Sequence, residues 1–223
     1  MSFVSLRNHS HYSLLQALPK VDLLVGKASA YGHTALALTD SSNMYGAIEF
    51  YKECQKKKIK PIIGAELKLK KDTRSYTIVL LAKNYNGYRN LMRLVSVANL
   101  KDKNNHDPFL ILDDMKGLTE DIILLDGGPW GEIGEALKTN NVVKAKSIYD
   151  TYHDLFADIY LEVTPHTFMD YGAEMRANAI AFARANNIKL VATLNTHYLS
   201  FNDKSAHKTL VNVQSEGDSA EGY

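Results

Sequence analysis

Four of the eight histidines in this 223-residue chain follow apolar runs of strand length, and that is where chemistry could sit. His9 and His11 follow residues 3–8, His166 follows residues 158–164, and His197 follows residues 189–194. In an extended segment, residues i and i+2 point to the same side. His9 and His11 can therefore offer two imidazoles to one ion, and Asn195 with His197 repeats the spacing. Acidic side chains occupy similar places: Asp40 after residues 35–39, Glu66 just past Gly64, and Asp126 before Gly127 and Gly128. Imidazole and carboxylate together suit Zn, Mn or Fe. A divalent ion so held can make hydroxide near neutral pH and clamp phosphoryl oxygens.

Plainer readings compete. A single His-x-His is common, and a lone loop histidine is often bonded to backbone. His33, His106, His153 and His207 lack the strand-end placement and read as surface or helix-face residues. Ser10 and Ser41 lack the Gly-x-Ser-x-Gly elbow of a nucleophile. Cys54 has no CxxC partner, and Lys56, Lys57, Lys58 and Lys60 read as a solvated helix end. Trp130, after Gly127-Gly128-Pro129, reads as a packing residue at a helix start rather than a stacking platform.

Positioning these groups requires a scaffold. Strands are expected at residues 3–8, 35–39, 61–69, 76–82, 122–126, 158–164 and 189–194. Several are apolar at consecutive positions, as strands buried on both faces of a parallel sheet are. Helical spacing recurs between them, as in Val21, Leu24, Val25 and Ala28 before a stop at Gly32. Further helices are expected at residues 44–51, 88–95, 130–138, 142–156, 173–181 and 203–213, the one at 173–181 behind a Thr167-x-x-Asp170 start signal. Strand–helix alternation indicates an α/β protein, either an open doubly wound sheet or a closed barrel. In a barrel, active sites collect at the C-terminal ends of the strands. No Gly-x-Gly-x-x-Gly follows the first strand and no Gly-x-x-x-x-Gly-Lys-Ser/Thr loop occurs, which removes the main support for nucleotide folds.

Composition narrows the function classes. There are 26 Lys+Arg against 25 Asp+Glu, so charge alone does not indicate a nucleic-acid or membrane binder. No apolar run approaches the ~20 residues of a membrane span, and residues 1–13 lack signal-peptide order. One cysteine excludes an internal disulfide and fits a reducing, cytoplasmic setting. Residues 101–107 read as a polar loop, and residues 215–223 as a fraying tail with almost nothing to bury.

The segments NHSHYSLLQAL, ALALTDSSNMYGAIEFYKECQKKKIKPIIGAEL, LLAKNYNGYRNLMRL and LVATLNTHYL carry a specific resemblance. They closely resemble the PHP (polymerase and histidinol phosphatase) domain that opens bacterial replicative DNA polymerase III alpha subunits. The resemblance runs from Phe3 to about Val213, so residues 1–214 read as one PHP domain. It implies a distorted seven-stranded β/α barrel of TIM-like form. Intact members bind up to three metal ions through histidines and carboxylates; they hydrolyse phosphoesters, some as 3′–5′ exonucleases. Carried over, His9 and His11 match the opening His-x-His, Glu66 the carboxylate after the Ile-Gly step, and His166 and His197 two later histidines.

Departures from that pattern are equally specific. Ser41 stands where the family has a histidine, Gln16 where it has an acid or histidine, Asn195 where it has an aspartate, and a further ligand position falls around Gly128. Asn195 offers a neutral carbonyl oxygen without the balancing charge. The resemblance therefore implies an incomplete site for Zn, Mn or Mg, with Ser41, Gln16 and Asn195 as neutral hydrogen-bond partners for the histidines. The expected role is a structural and interaction domain in DNA replication. Its implied partners are the polymerase core of the parent chain and a proofreading exonuclease subunit, with DNA met only indirectly and no membrane. The alternatives are an active metal-dependent phosphoesterase or 3′–5′ exonuclease, and a small-molecule phosphatase of histidinol phosphatase type. The polymerase core itself is not in this sequence.

Overall fold

The computed structural model describes residues 3–101, 107–165 and 172–214. His166, the Thr167/Asp170 start signal, part of the polar loop at 101–107 and the tail at 215–223 lie outside the described residues.

Helix α1 (Val21–Ala30) buries Val21, Leu24, Val25 and Ala28, the stripe that the i, i+3, i+4, i+7 spacing predicts. It leads through Gly32, at φ +70°, into β1 (Ala35–Leu38). Helix α2 (Ala47–Lys57) follows, closed by Lys58 in the left-handed conformation, and then β2 (Lys60–Lys71) and β3 (Arg74–Ala82). Helix α3 (Tyr85–Leu100) begins at Asn84, whose side chain accepts a bond from Gly87 N. The chain continues through β4 (Phe109–Leu110), β5 (Ile122–Leu125), α4 (Glu132–Lys138), α5 (Val142–His153) and β6 (Asp158–Val163). It finishes with α6 (Gly172–Ala185), β7 (Lys189–Ala192) and α7 (Lys204–Gln214).

The strands form one curled sheet in the order β1-β2-β3-β5-β6-β7, with β4 paired to β2. Most neighbours are parallel, but β3 runs antiparallel to both β2 and β5. This departs from the parallel reading of the apolar runs, and the reason is local. Only Asp72 and Thr73 separate β2 from β3, with Asp72 at φ +55°. A two-residue loop can join only antiparallel strands.

The sheet closes through the N-terminal segment. Residues 3–8, expected as the first strand, make only single bridges, Ser5 to Leu36 and Asn8 to Thr196. Those bridges nevertheless span the gap between β1 and the exit of β7. Ala37 N donates to Ser5 O and Thr39 N to Asn8 O on one side; His9 N donates to Thr196 O on the other. The result is a distorted, TIM-like β/α barrel. Its seventh regular strand is the short, unanticipated β4 in place of residues 3–8.

Cross-strand partners share a face of the sheet. The registers Ala37–Ile62, Glu66–Val79, Val79–Leu125 and Leu125–Tyr160 therefore define one face. That face is the barrel interior: Ala37, Val79, Leu81 and Leu125 pack there with Leu6, Ile62 and Val191. The other face carries Leu67, Ile78, Leu80, Leu124 and Leu161 against the helices in the main core. Glu66 and Glu162 lie on the inner face as well, nearer the strand exits, so the interior has an apolar floor and a polar mouth.

Candidate functional site: the polar mouth of the barrel

One half of the mouth is built by the loop after the N-terminal stave. The Asp40 carboxylate, just past β1, accepts from Ser10 N at 2.6 Å, Ser10 Oγ at 2.8 Å and Ser13 Oγ at 2.7 Å. Three charge-assisted bonds to one short loop fix the backbone on either side of His9. Ser10 and Ser13 thus serve as donors to a carboxylate.

His9 is fully buried. Its Nε2 lies 3.1 Å from Asn195 Oδ1 and 3.4 Å from Glu66 Oε2. Both are acceptors, so Nε2 carries a proton. Its Nδ1 lies 3.3 Å from Ser13 Oγ and 3.5 Å from Ser41 Oγ. His197 stacks on His9, with centroids 4.2 Å apart and ring planes 7° from parallel.

Behind His197 a backbone carbonyl organises two imidazoles. Gln16 O accepts from His197 Nδ1 at 3.0 Å and from His207 Nε2 at 2.8 Å. A carbonyl can only accept, so both nitrogens are protonated. Burial, and then the neighbouring His9, push the His197 imidazole down to about 3, keeping it neutral. It is the backbone of Gln16 that receives these bonds.

The other half of the mouth is charged. Arg7 is 1% exposed, and its guanidinium reaches two strands and a turn. Nε and Nη2 donate to Glu66 Oε2 at 3.0 and 2.7 Å. Nη1 donates to Gly127 O at 3.3 Å and to Glu162 Oε2 at 3.4 Å. The Trp130 ring lies 5.1 Å from the guanidinium carbon, within cation–π range. Burial works against the charge on Glu66, yet Arg7 and then His9 hold its carboxyl well below the usual carboxylate range. Asp126 differs: burial, and then Glu162, push it up to about 7. Its Oδ1 accepts from Glu162 N at 2.7 Å and Gly128 N at 3.1 Å, tying β5 to β6.

The turn that delivers the Gly127 carbonyl requires glycine. Gly127 sits at φ +83°, and a Cβ there would overlap the Thr77 carbonyl oxygen. The Gly-Gly-Pro-Trp sequence is thus a shaped strand exit beside Arg7, with Trp130 stacked on the cation.

Of the expected site residues, the mouth gathers His9, Glu66, Asn195 and His197. His11 makes no contact with these four. The chain turns from Ser10, with Ser13 N bonded to Ser10 O, so His11 lies in a turn and not in the extended segment assumed for the pair. The His11 ring lies against Tyr12, 4.2 Å between centroids, and its buried Nδ1 has no hydrogen-bond partner. His166 lies outside the described residues. Sequence reasoning passed over Arg7, Glu162 and His207. Arg7 and Glu162 sit on expected strands at inward positions among apolar neighbours, which was a usable signal; His207 gave none beyond helical spacing.

The residues present do not fit a divalent ion. A ligating nitrogen must be free of its proton and a ligating carboxylate must offer a lone pair. Here His9 Nε2 is turned to Asn195 Oδ1 and Glu66 Oε2, Glu66 Oε2 receives two guanidinium donors, and Asp40 receives three loop donors. Among the described residues no group of three or more His, Cys, Asp and Glu is arranged to hold a metal. Cys54 stands apart, fully buried between α1, α2 and β1, with burial pushing its thiol up to about 12.

Comparison with known proteins fits this architecture. The PHP domain family model matches residues 5–166. The DNA polymerase III subunit alpha of Borreliella burgdorferi is 32% identical over 221 residues, covering 94% of this chain and 19% of that protein. The Escherichia coli K12 subunit is 34% identical over 215 residues, covering 95% of this chain and 18% of that protein. The chain thus spans about a fifth of the length of these relatives. Among solved structures, a Bifidobacterium adolescentis protein, assigned by prediction as a metal-dependent phosphoesterase, superposes with a TM-score of 0.57 at 12% identity. It covers 87% of each chain, a likeness of fold. Among the described residues no helix is long and apolar enough to cross a membrane. With a closed barrel, a polar mouth at the strand exits and a family model matched over most of its length, this chain belongs to the PHP domain family.

Proposed function

We propose that residues 1–214 are the PHP domain of a bacterial replicative DNA polymerase III alpha subunit and act as a structural and interaction domain in DNA replication. The observation that carries this reading is the set of bonds already made in the mouth, where Glu162 Oε1 is the one carboxylate oxygen buried without a hydrogen-bond partner among the described residues. The groups best suited to ligate metal, His9, Glu66 and Asp40, are engaged by protein donors and acceptors. A divalent ion, whether zinc, manganese or magnesium, would have to displace several of those bonds and binds weakly at most. Weak binding would leave the site short of the metal-bound hydroxide and the phosphoryl clamp that such hydrolysis uses.

The fold is then kept for its surfaces. The first partner is the polymerase core of the parent chain, supported by the coverage of about a fifth of the relatives. A proofreading exonuclease subunit is the second, DNA is met through these partners, and the setting is the cytoplasm. The test combines chemistry and binding. The chain should show no chelator-sensitive hydrolysis of bis-p-nitrophenyl phosphate or single-stranded DNA with added manganese, and should co-elute with the remainder of its polymerase chain. Turnover abolished by His9→Ala would replace this reading with a metal-dependent phosphoesterase or 3′–5′ exonuclease.

A further inference from the structure

We infer that Arg7 is a built-in cation: its guanidinium neutralises the carboxylates of the barrel mouth in place of a bound metal ion and keeps metal out. Glu66 and Glu162 reach the inner face from strands that are not neighbours, and Arg7 joins both with the Gly127 carbonyl. Such a bridge between oxygen ligands on separate staves is the structural work a divalent ion performs in a site of this kind. Arg7 and His9 also converge on a single atom, Glu66 Oε2. A metal ligated by the oxygen that faces His9 needs a lone pair on it about 2.0–2.2 Å away. The Arg7 Nη2 already lies 2.7 Å from it, so the two cations compete for one position.

The side chain is held as firmly as a ligand would be. Each of its three nitrogens donates a hydrogen bond, the Trp130 ring lies beside it, and among the described residues it is the largest of the fully buried side chains. Arg7 also belongs to the stave that closes the barrel, since its carbonyl accepts from Thr196 N. Cation and closure are therefore coupled. The guanidinium ties that stave to β2 and β6 across the interior. Arginine suits the task because it stays charged when buried and its planar fork serves several acceptors at once.

This inference rests on the scaffold reading above, and its test separates the two. Thermal melts of the chain would be recorded with excess EDTA and with zinc or manganese chloride, for the wild type, Arg7→His and Arg7→Met. The wild type should move by less than ~1 °C in either direction. Arg7→His removes the guanidinium and leaves an imidazole beside His9 and Glu66. Its midpoint should fall, then rise by at least ~4 °C with metal, through preferential binding to the native state, and elemental analysis should find bound ion. Arg7→Met should fall without metal rescue. If Arg7→His does not fold, Arg7→Met combined with Glu66→Gln and Glu162→Gln serves instead. Neutral amides there should restore much of the midpoint lost in Arg7→Met. A wild type that loses many degrees in EDTA, a metal-indifferent Arg7→His, or a triple variant no better than Arg7→Met would each overturn the inference. In the last two cases a chain that still hydrolyses nothing and binds its polymerase core leaves the scaffold reading standing.

Discussion

The floor and the mouth of this barrel lie on the same inner face of the same strands but are stabilised by different physics. On the floor, Ala37, Val79, Leu81 and Leu125 exclude water, and contact area sets their contribution. In the mouth, Arg7, Glu66, Glu162 and Asp126 are equally buried or nearly so, and charge balance decides. The floor tolerates exchange of one apolar side chain for another of similar size. The mouth does not, because removing one partner strands the others as uncompensated charges. A mouth lined with buried carboxylates therefore persists only if something supplies the balancing charge.

The largest effect expected is from Arg7→Met, which should cost about 3–5 kcal/mol at pH 7, measured by denaturant unfolding, because it removes the cation that pairs with both Glu66 and Glu162. Its pH profile should also change. Glu66 has its folded pKa held below the unfolded value, so it contributes stability present above about pH 4.5 and lost as pH falls through the folded pKa. Arg7→Met should shrink that acid loss, leaving the smaller part that His9 and Lys68 supply. Leu81→Ala on the floor should cost about 3 kcal/mol, with an unchanged pH profile. Equal profiles for the two variants would collapse the distinction between floor and mouth.

The mouth contains two opposed pH slopes, which sharpen the contrast further. Asp126 is raised to about 7 from 3.8, so the folded state binds the extra proton and stability falls as pH rises between those values. Asp126→Asn keeps an acceptor for Glu162 N and Gly128 N and should gain on the order of 2 kcal/mol at pH 8, flattening that slope. His197 runs the other way. It is lowered to about 3 from 6.5, so its contribution is present above pH 6.5 and lost as pH falls toward 3. His197→Asn should therefore lose less stability between pH 7 and pH 4 than the wild type does. The smallest change belongs to Asn195→Ala. It removes one neutral acceptor from His9 Nε2 while Glu66 remains nearby, at a cost of about 1 kcal/mol.

Local pattern alone determined the helices and most of the strands. The stripe Val21, Leu24, Val25 and Ala28 is buried on one face of α1, as its spacing requires, because helical periodicity is a property of consecutive residues. The same pattern placed His9, Glu66 and His197 near strand exits, and the substitutions at Ser41 and Asn195 were visible in the sequence itself. The tertiary structure decided who meets whom. Arg7 finds Gly127 and Glu162 across 120 and 155 residues, and His9 finds Asn195 across 186, because the first segment closes the barrel between β1 and β7. The capture of His207 by the Gln16 carbonyl belongs to the same closure. Periodicity reports which face of an element is buried; the partners that share that face are set by how a curled sheet joins its two ends.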